Sequence, residues 1–169
     1  MAIKWTFNGN YSFADKRFAR IYRFYVIETP VSGVSARGKS FGSRNINLKY
    51  LNSTLKREFS FLRSAWIVKT IKEIEAACKE RGLDKTVKLD EEIVIHTENH
   101  KLCAGRTDSL FYAIRCSFAH GSFAIHKHNG CKYYVLENKD KDKLKARMVL
   151  KEETLLKWID LVESFPVKK

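Results

Sequence analysis

The feature that most constrains the fold of this chain is a long amphipathic pattern in its first half. Apolar side chains recur every three or four residues from Leu51 to Cys78, which places them on one face of an α-helix. Lys79 and Arg81, followed by Gly82, favour a helix C-terminus at this point. A helix of this length is typical of helical bundles, so the pattern predicts a mainly α fold, an up-and-down helical bundle. The pattern consists of Leu51, Leu55, Phe59, Leu62, Trp66, Ile67, Ile71, Ile74 and Cys78.

Four further segments are predicted to be helical. Apolar side chains recur at helical spacing over residues 13–27, and Pro30 ends that helix. Residues 108–120 form an amphipathic pattern closed by a glycine, and residues 152–165 form another that begins with two glutamates. Residues 91–99 are predicted to form a short helix.

Beyond Gly121 the spacing of apolar residues changes from that of a helix to that of a strand. Asn129 and Gly130 are residues of a tight hairpin turn, and residues 132–137 beyond them are aromatic and β-branched. Apolar and basic side chains then alternate along the next segment. The pattern predicts a small antiparallel β hairpin or meander, at about residues 122–150, before the C-terminal helix.

Length and charge limit the class of protein. The chain has 169 residues, which suits a single domain over residues 1–169. Lys and Arg outnumber Asp and Glu by 32 to 19, so the formal net charge is +13. Ten of those net charges lie in the first 81 residues, which contain 16 basic and 6 acidic side chains. A folded surface of this charge attracts polyanions such as nucleic acid.

The basic residues of the first half predict an RNA-binding face. Some of them lie in the predicted helix 13–27, and others in a loop at about residues 31–47 that is rich in glycine and serine. The alternative is that these cations only solvate the outer faces of helices. The residues predicted to contact RNA are Arg17, Arg20, Arg23, Arg37, Lys39 and Arg44.

The lack of a recognisable secretory signal and the use of cysteine together predict a cytoplasmic location. The first ten residues lack the continuous apolar stretch of a secretory signal. No run of 18 apolar residues is present, so no membrane span is expected. The four cysteines form no CxxC pair, which favours reduced thiols.

Clustered histidines and cysteines raise the alternative of a zinc site. Their spacings match no zinc-finger pattern, and the hairpin turn at Asn129 and Gly130 accounts for the position of the second group. We therefore expect no metal and no other cofactor. The two groups are His96, His100 and Cys103, and His126, His128 and Cys131.

The residues best suited to chemistry are Arg115 and His120, an RxxxxH pattern followed by Gly121. RNA is cleaved without a metal when its 2′-hydroxyl attacks the neighbouring phosphorus, which requires proton transfer and stabilisation of negative charge. Imidazole exchanges protons near neutral pH, and guanidinium stays charged and binds two phosphate oxygens at once. The noncatalytic alternative is that Arg115 is a surface arginine and His120 caps a helix terminus.

Helix geometry restricts how Arg115 and His120 could meet. Five residues along a straight helix turn a side chain about 140° from its starting face. The two side chains therefore share a site only if His120 lies beyond the helix end or a second subunit completes the site. A homodimer satisfies the second condition, because a twofold interface brings a residue close to its own copy.

The segment LFYAIRCSFAHG, residues 110–121, resembles the RxxxxH motif of the HEPN superfamily. That family comprises small all-α bundles, and many members are metal-independent endoribonucleases of toxin or phage-defence type with a composite site in a homodimer. The resemblance implies that Arg115 binds the phosphate and stabilises the transition state, and that His120 transfers protons. Two positions depart from the family pattern: Cys116 replaces a frequent polar residue, and Ser122 replaces the tyrosine of the HxY branch.

Some HEPN-like domains are noncatalytic, and this is the alternative function. The chain would then be an RNA-binding module, or one that interacts with a partner protein in a toxin–antitoxin pair. The expected partners are RNA, a second copy of the chain and an antitoxin protein.

Overall fold

A five-stranded sheet forms the centre of the fold, with helices on both faces. The computed structural model describes residues 2–7, 9–31, 41, 46, 48–58, 66–98, 103 and 105–165. The strands are β1 Ala2–Lys4, β2 Trp66–Lys69, β3 Thr86–Lys88, β4 Ile93–Thr97, β5 Phe123–His128, β6 Cys131–Asp140 and β7 Lys143–Lys151. The helices are α1 Lys16–Tyr22, which continues as a π-helical segment Arg23–Glu28, α2 Leu48–Glu58, α3 Ile74–Glu80, α4 Arg106–Ala119 and α5 Glu152–Glu163.

The strand order in the main sheet is β2-β4-β7-β6-β5. β2 and β4 are parallel, whereas the other neighbouring pairs are antiparallel. β1 and β3 form a separate antiparallel pair. The fold is therefore α/β with a mixed sheet, and the prediction of a mainly α, up-and-down helical bundle is wrong.

The long amphipathic pattern misled the prediction because it covers three elements. α2 and α3 occupy its two ends, residues 59–65 lie outside the described residues, and Trp66–Lys69 forms strand β2. A short run of aromatic and β-branched residues is compatible with either period, so spacing alone does not distinguish a strand from a helix. Pairing with β4 decides the outcome, and the Trp66 indole N–H donates to His96 Nε2 of that strand over 2.7 Å.

The short helix predicted at residues 91–99 is also wrong, because Ile93–Thr97 forms β4 in the middle of the sheet. Val94 packs into the hydrophobic cluster on one face of the sheet, and Ile95 into the cluster on the other. A strand buried on both faces has no alternation of apolar and polar residues, and its sequence then resembles a buried helix.

The antiparallel meander predicted after Gly121 is present as β5, β6 and β7. Asn129 and Gly130 form its first turn, both with positive φ, at 48° and 74°. Along β6 successive side chains alternate between the two clusters, with Tyr134 on one face and Tyr133 on the other. The meander forms three of the five strands of the main sheet rather than an addition to a helical bundle.

Packing fixes α4 and α5 against one face of the sheet, together with α1 and the π-helical segment. α3 and β3 pack on the other face. The predicted basic loop at 31–47 lies largely outside the described residues; Val31, Phe41 and Ile46 within it are buried in the same cluster as α4. The helix predicted at 13–27 begins later, after Asp15, whose carboxylate accepts hydrogen bonds from the first turn of α1.

Candidate active site

The RxxxxH motif lies at the C-terminal end of α4, and local hydrogen bonding explains why the helix ends there. Ser122 N–H donates to Ser117 O at 2.8 Å, and Gly121 N–H donates to Phe118 O at 3.1 Å. This pair of bonds is a Schellman motif, which requires a left-handed residue after the helix. Gly121 supplies that residue, with φ of 68°.

His120 is exposed and lies just beyond the last helical residue, Ala119. Its own N–H donates to Cys116 O, so its backbone is held although its side chain faces solvent. His120 lies past the last helical residue, but its N–H still makes the i→i−4 bond of the helix, so its position keeps the helical spacing. A second subunit is therefore the condition that would bring Arg115 and His120 into one site.

Arg115 is half-buried near the same end of α4. Its Nε is buried and has no hydrogen-bond partner among the described residues. An unpaired buried donor costs free energy, so the packing around Arg115 is not explained by hydrogen bonding at Nε. Tyr112 lies about one turn earlier on α4, and burial raises the pKa of its hydroxyl to about 12, so this neighbour adds no negative charge near neutral pH.

α4 is well suited to hold a site in place, because ten of its residues are buried. It packs against the π-helical segment, against α2 and against β6. Reactive side chains on such a fixed element are positioned more accurately than side chains on a loop. Cys116, adjacent to Arg115, is buried and contributes to this packing.

The arginines predicted to contact RNA from α1 and the π-helical segment are each paired with a carboxylate. Arg17 lies 3.0 Å from Glu152, and Arg23 lies 2.8 Å from Glu28. Arg20 lies 2.6 Å from Asp160, and it also pairs with Glu163 of α5. RNA phosphates would have to compete with these carboxylates. Contact with RNA stays a prediction for all three, and the predicted residues Arg37, Lys39 and Arg44 lie outside the described residues.

A charged network that the sequence did not predict joins α1 to β6 and α5. Lys132 Nζ lies 2.5 Å from Asp15 and 3.4 Å from Glu152, and the Tyr134 hydroxyl donates to Glu152 at 3.1 Å. The hydrogen bond from Lys132 lowers the pKa of Asp15. These groups are far apart in the sequence, so no local pattern signals the network.

A large cavity lies elsewhere in the described part of the chain. It has a volume of about 840 Å³ and lies at the carboxyl ends of β2 and β4, lined by Lys69, Lys72, Arg106 and Lys145. Clefts at the carboxyl ends of parallel strands often bind ligands. Arg106 starts α4, whereas the motif ends it, so this cavity is separated from His120 by the length of the helix.

The described histidines of the zinc alternative lie on two strands, His96 on β4 and His126 and His128 on β5. His96 is buried in β4 and hydrogen-bonded to Trp66, and His128 lies 3.1 Å from Asp90. His126 is half-buried on β5, and His100 lies outside the described residues. No group of three or more His, Cys, Asp or Glu side chains that could hold a metal occurs in the described part of the chain. Among the same residues, no helix has the length and apolar character needed to cross a membrane.

Known proteins offer no further guide to this site. Comparison with protein-family models, with curated proteins and with solved structures found no match. The resemblance of residues 110–121 to HEPN proteins therefore stays a prediction.

Proposed function

We propose that the chain is a metal-independent endoribonuclease in which Arg115 and His120 are the catalytic residues. One observation carries the proposal: the two side chains belong to the same end of a buried helix, with His120 exposed and the Arg115 Nε unpaired among the described residues. This arrangement places a proton-transfer group and a half-buried cationic side chain at one end of a rigid support.

The proposed reaction is transphosphorylation by the 2′-hydroxyl of RNA. The O2′–P bond forms as the P–O5′ bond breaks, which leaves a 2′,3′-cyclic phosphate and a 5′-hydroxyl. One proton leaves O2′ and one is delivered to O5′. Arg115 stabilises the negative charge that develops on the phosphoryl oxygens, and His120 transfers a proton.

A homodimer forms part of the proposal because one histidine per chain does not supply both proton transfers at once. Two copies of His120 in one cleft would provide a base for O2′ and an acid for O5′. Twofold symmetry brings such copies together when the residues lie near the axis. His120 has the exposure that this arrangement requires.

The proposal depends on the site and not on the fold. The HEPN resemblance covers one helix end, whereas the chain has a mixed sheet instead of an all-α bundle. Fold by itself does not specify function, and the same chemistry recurs on unrelated folds. A toxin or phage-defence role, with an antitoxin as partner, is the biological setting that the resemblance suggests.

The direct test is digestion of single-stranded RNA in the presence of EDTA, with end-group analysis of the products. We expect 2′,3′-cyclic phosphate ends from the wild type. His120→Ala and Arg115→Ala should each lower the rate by about 10²–10³-fold, the range for loss of a proton-transfer group or a charge-stabilising donor. Circular dichroism should show that both variants keep the fold.

Two matched controls make this test specific. Arg106→Ala removes an exposed arginine at the opposite end of α4, and His128→Ala removes a histidine at the far end of β5. Both controls should cut RNA at the wild-type rate. Wild-type activity in His120→Ala would exclude the assignment of ribonuclease activity to this site. If the wild type and all variants bind RNA but none cleaves it, the noncatalytic RNA-binding module would be favoured.

The composite site has its own test in subunit mixing. An excess of inactive His120→Ala chains, exchanged into wild-type protein, should suppress cleavage per wild-type chain because mixed dimers lack one histidine. Activity that depends only on the number of wild-type chains would contradict the shared site while leaving the nuclease intact.

A further inference from the structure

A cluster of aromatic rings lies at the same end of α4 as the candidate catalytic residues. Phe118 precedes His120 by two residues, and Phe123 follows it by three. Rings from the N-terminal segment and from α1 pack around these two. The aromatic cluster consists of Tyr11, Phe13, Phe18, Tyr22, Phe118 and Phe123.

The rings form a continuous set of contacts. The ring centroids of Phe118 and Phe123 lie 4.9 Å apart, and Tyr11 lies 4.7 Å from Phe123. Tyr22 lies 6.1 Å from Phe118 and 5.1 Å from Phe13. The outer rings are therefore connected by direct packing to the segment that carries His120.

Burial divides the aromatic cluster into an inner and an outer part. Phe18, Phe118 and Phe123 are almost fully buried. Tyr11 is 40% exposed and Phe13 is 57% exposed. Packing on Phe18, at 4.9 and 5.2 Å, holds both outer rings in place while much of their surface remains in contact with water.

Each exposed ring has an exposed lysine in its region, Lys16 three residues after Phe13 in sequence and Lys127 on β5 in the groove beside Tyr11. Neither lysine forms an ion pair within the described part of the chain. A groove of about 640 Å³ runs beside Tyr11 and is lined by His126, Lys127 and other residues of this region.

Fixed aromatic rings beside unpaired cations are the combination that binds single-stranded nucleic acid. Bases stack on the rings, because every base has a π face, while the cations contact the phosphates. In a duplex the bases stack on one another and are not available to protein side chains. The chemistry of this surface therefore selects a strand with unpaired bases.

We propose that Tyr11 and Phe13 form a stacking platform for bases that flank the scissile phosphate, so that the substrate is unpaired RNA. The proposal rests on the ribonuclease function assigned to Arg115 and His120. Lys127 contacts the backbone of the same strand where it follows the groove beside Tyr11, and Lys16 contacts it beside Phe13.

The test measures binding separately from cleavage, by fluorescence anisotropy with a 2′-O-methyl oligonucleotide that cannot be cut. Tyr11→Ala and Phe13→Ala should each raise its Kd by about tenfold, the effect of losing one stacked base. An abasic oligomer with the same number of phosphates should bind all variants equally. Tyr50→Ala is the matched control, because Tyr50 is 54% exposed and lies on α2, which contacts the opposite end of α4 through Asn52 and Thr107.

Phe13→Leu and a fluorescent base separate stacking from folding. Leucine keeps apolar contact with Phe18 but offers no aromatic face, so Phe13→Leu should keep the wild-type melting temperature and still lose about tenfold in affinity. A 2-aminopurine placed in the oligonucleotide should be quenched by the wild type and less by this variant.

The outcomes distinguish this proposal from the ribonuclease proposal. Unchanged Kd and unchanged quenching in Phe13→Leu and Tyr11→Ala would overturn the platform, even if the wild type cuts RNA. Equal loss of affinity for the abasic oligomer would also overturn it, because the rings would then act through the fold. Failure of the wild type to cut RNA, with the stacking results as expected, would overturn only the nuclease.

Discussion

Two arginines in the same chain, Arg147 in the sheet and Arg115 on α4, occupy contrasting environments. Arg147 on β7 is buried, pairs with Glu137 at 2.8 Å, donates to the carbonyls of Leu83 and Asp84, and lies 4.6 Å above the ring of Trp5. Arg115 has a buried Nε with no partner among the described residues. Folding alone accounts for the first arrangement, whereas the unpaired Nε of the second lowers stability.

The contrast shows that whether a cationic side chain is paired with a carboxylate indicates its role better than the total number of cations does. The chain has a net charge of +13, yet Arg17, Arg20, Arg23 and Arg147 are each paired with a carboxylate. The cations that remain for a polyanion are those without such partners. Substitutions should therefore separate into those that lower the free energy of unfolding and those that lower only activity.

The largest loss of stability is expected from Glu137→Ala. This change leaves Arg147 as a buried charge without its carboxylate, which typically costs about 3–5 kcal/mol. Urea unfolding should show this decrease. Asp140→Ala, which breaks the exposed pair with Lys145 in the same hairpin, should cost no more than about 1 kcal/mol. Equal losses in the two variants would contradict the distinction between buried and exposed pairs.

Lowering the pH should produce the next largest effect, through His96. Burial lowers the pKa of His96 from 6.5 to about 4, and its Nε2 accepts from the Trp66 indole, so folding favours the neutral ring. In the unfolded chain His96 is protonated below about pH 6.5, whereas in the folded chain it is protonated only below about pH 4. The difference in pKa contributes about 3 kcal/mol at most to the free energy of unfolding. This contribution is fully present above pH 6.5 and is lost as the pH falls towards 4.

The measurement for His96 is the slope of unfolding free energy against pH between 6.5 and 4, compared between wild type and His96→Gln. Glutamine keeps a hydrogen-bond acceptor for Trp66 but does not titrate. The variant should be less stable at pH 7 and have a shallower slope. Identical slopes would show that His96 is not the group responsible.

A smaller effect is expected from Arg20→Ala. Arg20 connects α1 to α5 through two exposed carboxylates, and such pairs contribute about 0.2–1 kcal/mol each and weaken with salt. We expect a loss of about 1 kcal/mol in the free energy of unfolding that diminishes at high salt. A raised Kd for RNA with unaltered stability would show instead that Arg20 contacts RNA, as the sequence predicted.

The sequence was sufficient to predict the elements that depend on local signals. The end of α4 follows from Gly121, the meander from Asn129 and Gly130, and the C-terminal helix from its amphipathic pattern. Strand β2 was missed because its partner β4 is distant in the sequence, and only that pairing decides between strand and helix.

The candidate site was likewise predictable in part. The residue types and the glycine indicated Arg115 and His120, but not that Arg20 would meet Asp160, 140 positions away. The aromatic cluster also depends on distant contacts, since Tyr11 packs on Phe123. Local patterns therefore indicate which residues could act, whereas tertiary contacts decide which of them remain available to a ligand.

The contrast between the two arginines predicts an effect of opposite sign for Arg115→Met. Methionine keeps the apolar part of the side chain and removes the buried unpaired Nε, so the free energy of unfolding should stay the same or rise by about 1 kcal/mol. RNA cleavage should nevertheless fall by about 10²-fold or more, because the charge-stabilising donor is gone. Urea unfolding and a cleavage assay in EDTA on the same preparation provide both values. A loss of stability above about 2 kcal/mol would contradict this, because it would place Arg115 with Arg147 among the groups that the fold itself requires. If Arg115→Met keeps or gains stability and loses activity, Arg115 shows the trade-off expected of a residue that serves function at a cost in stability.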